Sequence, residues 1–439
     1  MITTRATTVL TTTLVTTLPA VTATSSITTP STTTITETSS TRETSSTTLS
    51  TTTTTETSTI TETSSTTTSS TISSTESSPL LSTTSTGMTT RGFGCRIAYR
   101  YPTQFQTGLW QTSIIAVDLN KDGNQDIVAA NNLNDTVSVL LGYGNGSFRT
   151  HVQYAVGWYP YSVTSGDFNN DGSIDLAVAN VLNNTVSVLL GYDNGSFNTH
   201  VQYVVDQGPE GVTSGDFNND GKLDLATVNN AKGNINVLLG DGNGKFARYA
   251  QYFVGLFPES MTMGDFNNDG KLDFAAASTV NKSITVLLGH GDGTFTVNRM
   301  YMTNWLPNFL TSNDFNNDGN LDLAVINNGN NSIKVLLGSG NGNFNIEGEY
   351  LIDPYAYSIT SSDFNNDGNI DLVTPGAGSF TISVLLGNGN GTFQTYLRFS
   401  AGYVPYSVIT ADFNNDQKLD IAVSNFYTST VSILLNNCA

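Results

Sequence analysis

DFNNDGKLD occupies residues 216–224 and returns letter for letter at 265–273. Close variants open at Asp118, Asp167, Asp314, Asp363 and Asp412, so the phrase occurs seven times, and each copy begins 49 residues after the last. Nothing has been inserted or lost between copies. One supersecondary unit is therefore repeated, and a period near fifty belongs with propeller blades rather than with helical solenoids.

The unit is legible in residues 161–205, YSVTSGDFNNDGSIDLAVANVLNNTVSVLLGYDNGSFNTHVQYVV. A short strand enters the acidic phrase. DLAVAN and TVSVLL follow as alternating Val- and Leu-rich strands with VLNN as the turn between them. GYDNGSF supplies a Gly- and Asn-rich turn that tolerates positive φ, and FNTHVQYVV forms a fourth strand. No stretch carries a helical period. A lone four-stranded sheet cannot bury both faces, whereas seven arranged radially bury each face against a neighbour. The predicted fold is all-β, a seven-bladed propeller of four-stranded blades.

The only cysteines, Cys95 and Cys438, lie 343 residues apart, which is seven repeats of 49. In a closed ring of seven they occupy nearly the same place, and a disulfide there would lock the seam in an oxidising compartment. YRYPTQF at 99–105 reads as a fourth strand and TVSILL at 430–435 as a third, so both ends of the domain are expected to complete one blade.

Within each copy Asp, Asn and Asp stand at positions 1, 3 and 5, with Asp at 9 and glycine at 6 in all but the last. Alternate side chains of a curled loop converge, glycine permits the sharp turn, and the position-7 carbonyl adds an oxygen. In chain order the side-chain donors are Asp118, Asn120, Asp122 and Asp126; Asp167, Asn169, Asp171 and Asp175; Asp216, Asn218, Asp220 and Asp224; Asp265, Asn267, Asp269 and Asp273. The last three loops offer Asp314, Asn316, Asp318 and Asp322; Asp363, Asn365, Asp367 and Asp371; and Asp412, Asn414, Asp416 and Asp420. The position-7 carbonyls belong to Asn124, Ser173, Lys222, Lys271, Asn320, Asn369 and Lys418. Hard oxygens in a flexible loop suit Ca²⁺ better than Mg²⁺, which requires strict octahedral geometry, or zinc, which prefers His and Cys. Up to seven Ca²⁺ are expected. The alternative is an Asx-turn loop satisfied by its own backbone. Lys121 replaces Asn at position 4 of the first copy, where only backbone or solvent contact is expected. Gln417 replaces glycine at position 6 of the seventh, which makes that site the weakest candidate.

EF-hands and dockerin modules carry a similar phrase but flank it with helices, and EF-hands place Glu at position 12. Here position 12 is small or apolar, as in Val178, and a strand follows. GDFNNDGKLDLA and VLLGDGNGKF resemble the FG-GAP or VCBS repeat of integrin α-chain heads and of many surface proteins, over about residues 99–435. The resemblance implies calcium in the loop between the first two strands of each blade and a role in adhesion or ligand recognition.

Residues 1–92 are nearly all Ser and Thr, too poor in apolar side chains to offset ordering entropy, and read as a disordered, mucin-like stalk or a flexible tail before a propeller at 93–439. The opening MITTRATTVLTTTLVTTLPAVTA has a basic Arg5 and a small-residue end but an apolar centre broken by Thr, so it reads as a weak secretion signal or as an incomplete start. Asn134, Asn183, Asn281 and Asn330, and at a second phase Asn145, Asn194 and Asn390, head glycosylation triplets in turns. These features together lead to the expectation of an extracellular chain. Net charge is −19, with 21 of 36 acidic residues inside the seven phrases, which disfavours nucleic acid and anionic membranes as partners. No run of eighteen apolar residues is present, so no membrane-spanning helix is expected.

Segments joining one blade to the next carry Trp110, Trp158, Phe257, Trp305, Tyr355 and Tyr403, together with Glu210 and Glu259. These aromatics either pack between blades or form an exposed rim for sugars or a peptide. His151, His200 and His290 accompany no nucleophile–base motif, and no phosphate loop or zinc pattern occurs. The expectation is a monomeric, non-enzymatic binding module with an unknown protein or glycan ligand; a lectin and a polysaccharide-processing enzyme are the alternatives.

Overall fold

The computed structural model describes residues 95–99 and 101–438. The Ser/Thr-rich stretch 1–92 and its assignment as a stalk lie outside the described residues. Among the described residues are 28 strands in seven antiparallel four-stranded sheets. Six sheets use four strands consecutive in sequence, and the seventh orders Pro405–Ala411, Asp420–Asn425 and Thr430–Leu434 with Thr103–Gln106 as its outer strand. The first strand thus completes the last blade, in register from Thr103 against Ile433 to Gln106 against Thr430. Cys95 and Cys438 form a disulfide at this seam, their Cα atoms 5.4 Å apart, and Asn437 donates to the Ala98 carbonyl beside it.

The second strand of each blade is buried along its whole length, as in Asp175–Asn180 and Asp273–Ser278. This is what a sheet covered on both faces requires. The outer strands are mostly exposed instead, with one half-buried residue in each of Val152–Ala155 and Val201–Val204. Seven apolar clusters result, one for each pair of neighbouring blades. The closing cluster joins Ile127, Ala129 and Leu140 of blade one to Ala422, Val431 and Ile433 of blade seven.

Position 2 of the acidic phrase anchors each loop to this core. Phe168, Phe217, Phe266, Phe315, Phe364 and Phe413, with Leu119 in the first blade, are essentially buried. Phe168 meets Phe246 of the next blade edge-on at 5.5 Å, and Phe266 meets Phe344 in the same way. Five of the position-2 carbonyls also receive a glycine N–H from the neighbouring blade, including Gly146 to Phe413 across the seam, and that of Phe364 accepts the Asn436 amide instead.

The inner strands line the axis. Their N–H groups find serine hydroxyls one blade away: Val163 to Ser113, Val212 to Ser162, Val408 to Ser358, and Ile114 to Ser407 across the closure. Prolines 160, 209, 258, 307 and 405 each open an inner strand, where a missing N–H costs nothing. The inner strand of blade six is reduced to Thr360–Ser362. Pro375 explains this, because it stands in the adjoining strand Asp371–Gly376 where Ala179 pairs with Ser162 in blade two, and it has no N–H to offer.

Candidate functional site

All acidic loops lie at one end of the blades, between first and second strands. Their hydrogen bonds repeat with little variation. In blade two, Asp167 Oδ1 accepts the Asp171 N–H and Oδ2 accepts that of Gly172, Asn169 Oδ1 accepts from Asp171, and Asp171 Oδ1 accepts from Ser173. The Ser173 N–H holds the Asp171 carboxyl below the usual range. The loop keeps this form in blade seven, where Gln417 donates to Asp412 at 2.7 Å with φ of 65°. The six glycines at this position have φ from 78° to 85°, so Gln417 carries strain that they avoid.

Position 9 is placed differently. Asp126, Asp175, Asp224, Asp273, Asp322, Asp371 and Asp420 are fully buried. One carboxylate oxygen of Asp273 accepts the Phe266 N–H at 2.8 Å, and the other accepts that of Gly289, sixteen residues on, at 2.7 Å. The same pair of bonds recurs in every blade, from Asp126 to Leu119 and Gly142 through to Asp420 to Phe413 and Asn436. Burial pushes these carboxyls up to about 6, against the two N–H donors, and the charges at positions 5 and 1 push the same way. In Asp371 the carboxyl reaches about 7.

Among the described residues no three His, Cys, Asp or Glu side chains form a group that could hold a metal ion; the position-9 carboxylates accept backbone amides with both oxygens, as do those at position 1. The loop's remaining donors are two carboxylates, an asparagine oxygen and the position-7 carbonyl. All are hard oxygens, and carboxylates that accept N–H bonds keep further lone pairs, so the donor chemistry fits Ca²⁺. In blades three and four the position-7 lysines reach the position-5 carboxylates, Lys222 to Asp220 at 3.2 Å and Lys271 to Asp269 at 3.4 Å.

Position 4, expected to meet only backbone or solvent, instead ties neighbouring loops together. Asn268 donates to Asn320, Asn317 to Asn369 and Asn415 to Asn124 around the ring. Lys121 at this position pairs with Asp193 of blade two at 2.6 Å. These residues adopt positive φ, 57° at Lys121 and 55° at Asn170, which swings the side chain sideways. No sequence signal at a single copy announces this, since the partner belongs to another copy, 52 residues away for Asn268 and 291 for Asn415.

The opposite end carries the aromatics. Trp158, Phe257, Trp305, Tyr355 and Tyr403 stand between 45% and 63% exposed. Trp110 is half-buried and stacks on Phe426 at 5.2 Å. The turns between second and third strands add exposed Leu133, Leu182, Val280, Phe380 and Tyr427 at the same end. Asparagines of those turns hold the rim, as Asn134 accepts the Leu109 N–H and Asn281 that of Leu256. Glu210 and Glu259, which the sequence sets beside the rim aromatics, are half-buried and line the axial channel instead.

Five stretches of the chain, 118–178, 167–227, 216–276, 314–374 and 363–423, match the FG-GAP-like repeat. The chain belongs to the FG-GAP-like repeat family. No curated protein matches it. Among solved structures, the FG-GAP propeller is similar to BBS1N in its complex with ARL6DN, at 10% identity and TM-score 0.56 over 77% of this chain and 97% of that one. It is also similar to virginiamycin B lyase from Staphylococcus aureus, at 15% identity and TM-score 0.55 over 77% and 99%, and to a streptogramin B lyase at 17% and 0.54 over 77% and 98%. At such identities the likeness is one of fold.

Proposed function

We propose that this FG-GAP propeller is a non-enzymatic, extracellular recognition module, stabilised by Ca²⁺ in its acidic loops, that engages a protein or glycan ligand through its aromatic rim. The observation that carries the reading is the concentration of exposed Trp158, Phe257, Trp305, Tyr355 and Tyr403 with Leu182, Phe380 and Tyr427 at one end of the ring. Soluble surfaces rarely gather apolar side chains in this way unless they meet something. Flat aromatic faces suit sugar rings and peptide side chains alike.

The acidic loops supply rigidity at the other end. Ca²⁺ would be held by positions 1, 3 and 5 and the position-7 carbonyl, and its charge offsets the repulsion between the two carboxylates. Position 9 would act one layer deeper, fixing the turn through the position-2 amide.

Glycan-array and protein-capture binding of the full chain, beside a Trp158→Ala, Trp305→Ala, Tyr355→Ala variant, tests the rim. Loss of all binding in a variant with an unchanged melting point is expected. Binding that survives the triple substitution, or turnover of a polysaccharide by the purified chain, would overturn the reading. Thermal unfolding with Ca²⁺ and with a chelator tests the loops: ligand linkage predicts a higher midpoint with Ca²⁺, and equal midpoints would remove calcium from the proposal.

A further inference from the structure

A cavity of about 370 Å³ lies on the axis, lined by residues of all seven blades. Its mouth is built by one repeated device. Inner strands break register just after their first residue, between Gln111 and Ser113, Pro160 and Ser162, Pro209 and Gly211, and Pro258 and Ser260. The break spans two residues in blades five and seven, from Pro307 to Leu310 and from Pro405 to Val408. A bulge re-aims the residue it inserts. Here it brings Thr112, Tyr161, Glu210 and Glu259, at intervals of 49, to the cavity wall, which Phe309 of blade five and Tyr357 of blade six continue; Asn308 and Tyr406 share the interval and touch that wall through Glu259 and Tyr161.

This ring is polarised. Glu210 and Glu259 sit on neighbouring blades, and among the described residues they have no cationic partner and no Lys, Arg or His lines the cavity. Glu210 is steadied by Asn230 at 3.0 Å, while Glu259 is steadied by Thr279 and Asn308, both at 2.9 Å. Asn308 is only 7% exposed, and its side-chain oxygen has no hydrogen-bond partner. Across the ring, the Tyr161 and Tyr406 hydroxyls meet at 2.6 Å, and the Tyr406 and Tyr357 rings stack at 4.8 Å. Deeper in the cavity come Val163, Val212, Met261 and Ile359.

We propose that this mouth binds a small organic ammonium ion, its N–H groups taken by Glu210 and Glu259, the latter positioned by Asn308, and its charge set against the tyrosines, with an aliphatic tail directed at the apolar floor. Carboxylates and amide oxygens only accept, so a donor-rich cation answers the set. Aromatic faces attract cations through their quadrupole. The site is separate from the exposed rim and from the acidic loops, and it does not depend on the rim reading.

Burial, then the charge of Glu259, pushes the Glu210 carboxyl up to about 8, and burial raises that of Glu259. Tyr161, Tyr406 and Tyr357 are the other titratable groups facing the pair, and all three are pushed upward by burial. The empty mouth therefore holds a proton near neutral pH, and a bound cation displaces it.

Calorimetric titration of the full chain at fixed, saturating Ca²⁺ tests the proposal with n-butylammonium, 1,4-diaminobutane and tetramethylammonium as probes. The primary ammonium probes should bind at one site, release a proton, and bind more tightly as pH rises toward about 8. Tetramethylammonium, which has no N–H, should bind about ten-fold more weakly. The Glu210→Gln, Glu259→Gln variant should lose binding, and Asn308→Leu should weaken it even if the double variant fails to fold. No heat with any probe at millimolar concentration, unchanged affinity in Asn308→Leu, or displacement of the probes by added Ca²⁺ would each overturn it.

Discussion

Replacing Asp273 by alanine separates the two tasks of the acidic phrase. The side chain is fully buried and accepts the N–H groups of Phe266 and Gly289 at 2.8 and 2.7 Å. Two orphaned buried amides cost about 1–3 kcal/mol each. Removing a carboxylate whose burial lifts it to about 6 returns on the order of 1–2 kcal/mol at pH 5, where the unfolding is measured and the folded group is mostly protonated. The net expectation at that pH is a loss of about 0.5–4 kcal/mol. Asp265 accepts two N–H bonds of similar length, from Asp269 and Gly270, but those amides are exposed and water replaces the lost acceptor, so Asp265→Ala should cost about 0.5–1 kcal/mol. Urea unfolding followed by circular dichroism, with Ca²⁺ chelated, measures both. If Asp273→Ala stays within about 0.5 kcal/mol of the parent, or if Asp265→Ala costs as much, the assignment of position 9 to the fold is refuted.

Three further outcomes are expected. Gln417→Gly relieves a positive φ of 65° and should stabilise the chelated protein by about 0.5–1 kcal/mol; the same change should raise the affinity of the seventh loop in a Tb³⁺ luminescence titration, where the parent fills it last. Reduction of the disulfide opens a loop of 343 residues, for which chain entropy sets an upper bound of roughly 6 kcal/mol. Because the Cys95 N–H donates to Asn365 in the sixth acidic loop at 2.9 Å, hydrogen exchange should rise first there. Glu210 gives a pH signature: its carboxyl rises from 4.5 to about 8 on folding, so the folded chain keeps a proton that the unfolded chain releases. Stability from this group is full below pH 4.5 and is lost as pH rises through 8. Calorimetric melting points should therefore fall over that range in the parent and fall less in Glu210→Gln.

The architecture was open to reading because every copy obeys one period. The strands of residues 161–205, the count of blades and the shared phase of Cys95 and Cys438 follow from spacing and alternation alone. Less could be read of how copies address one another. Asn268 finds Asn320 and Lys121 finds Asp193 only once the ring has closed, so position 4 reads as an idle loop residue. The channel mouth stayed hidden for another reason. Thr112, Tyr161 and Glu210 share a position but not a chemistry, so they pass for drift in a connecting segment until a bulge is seen to aim them at the axis. Blade six shows the reverse, since Pro375 sits in a segment that otherwise reads as an ordinary strand and shortens its neighbour.

The disulfide at the seam also decides where mechanical load would travel. Tension applied between the chain before Cys95 and the chain after Cys438 passes through two sulfur atoms. The blades between them are left slack, so pulling from those points would not peel the propeller apart strand by strand. Once that bond is reduced, the same pull falls on the short pairing of Thr103–Gln106 with Thr430–Leu434, and the closure becomes the first part to give way.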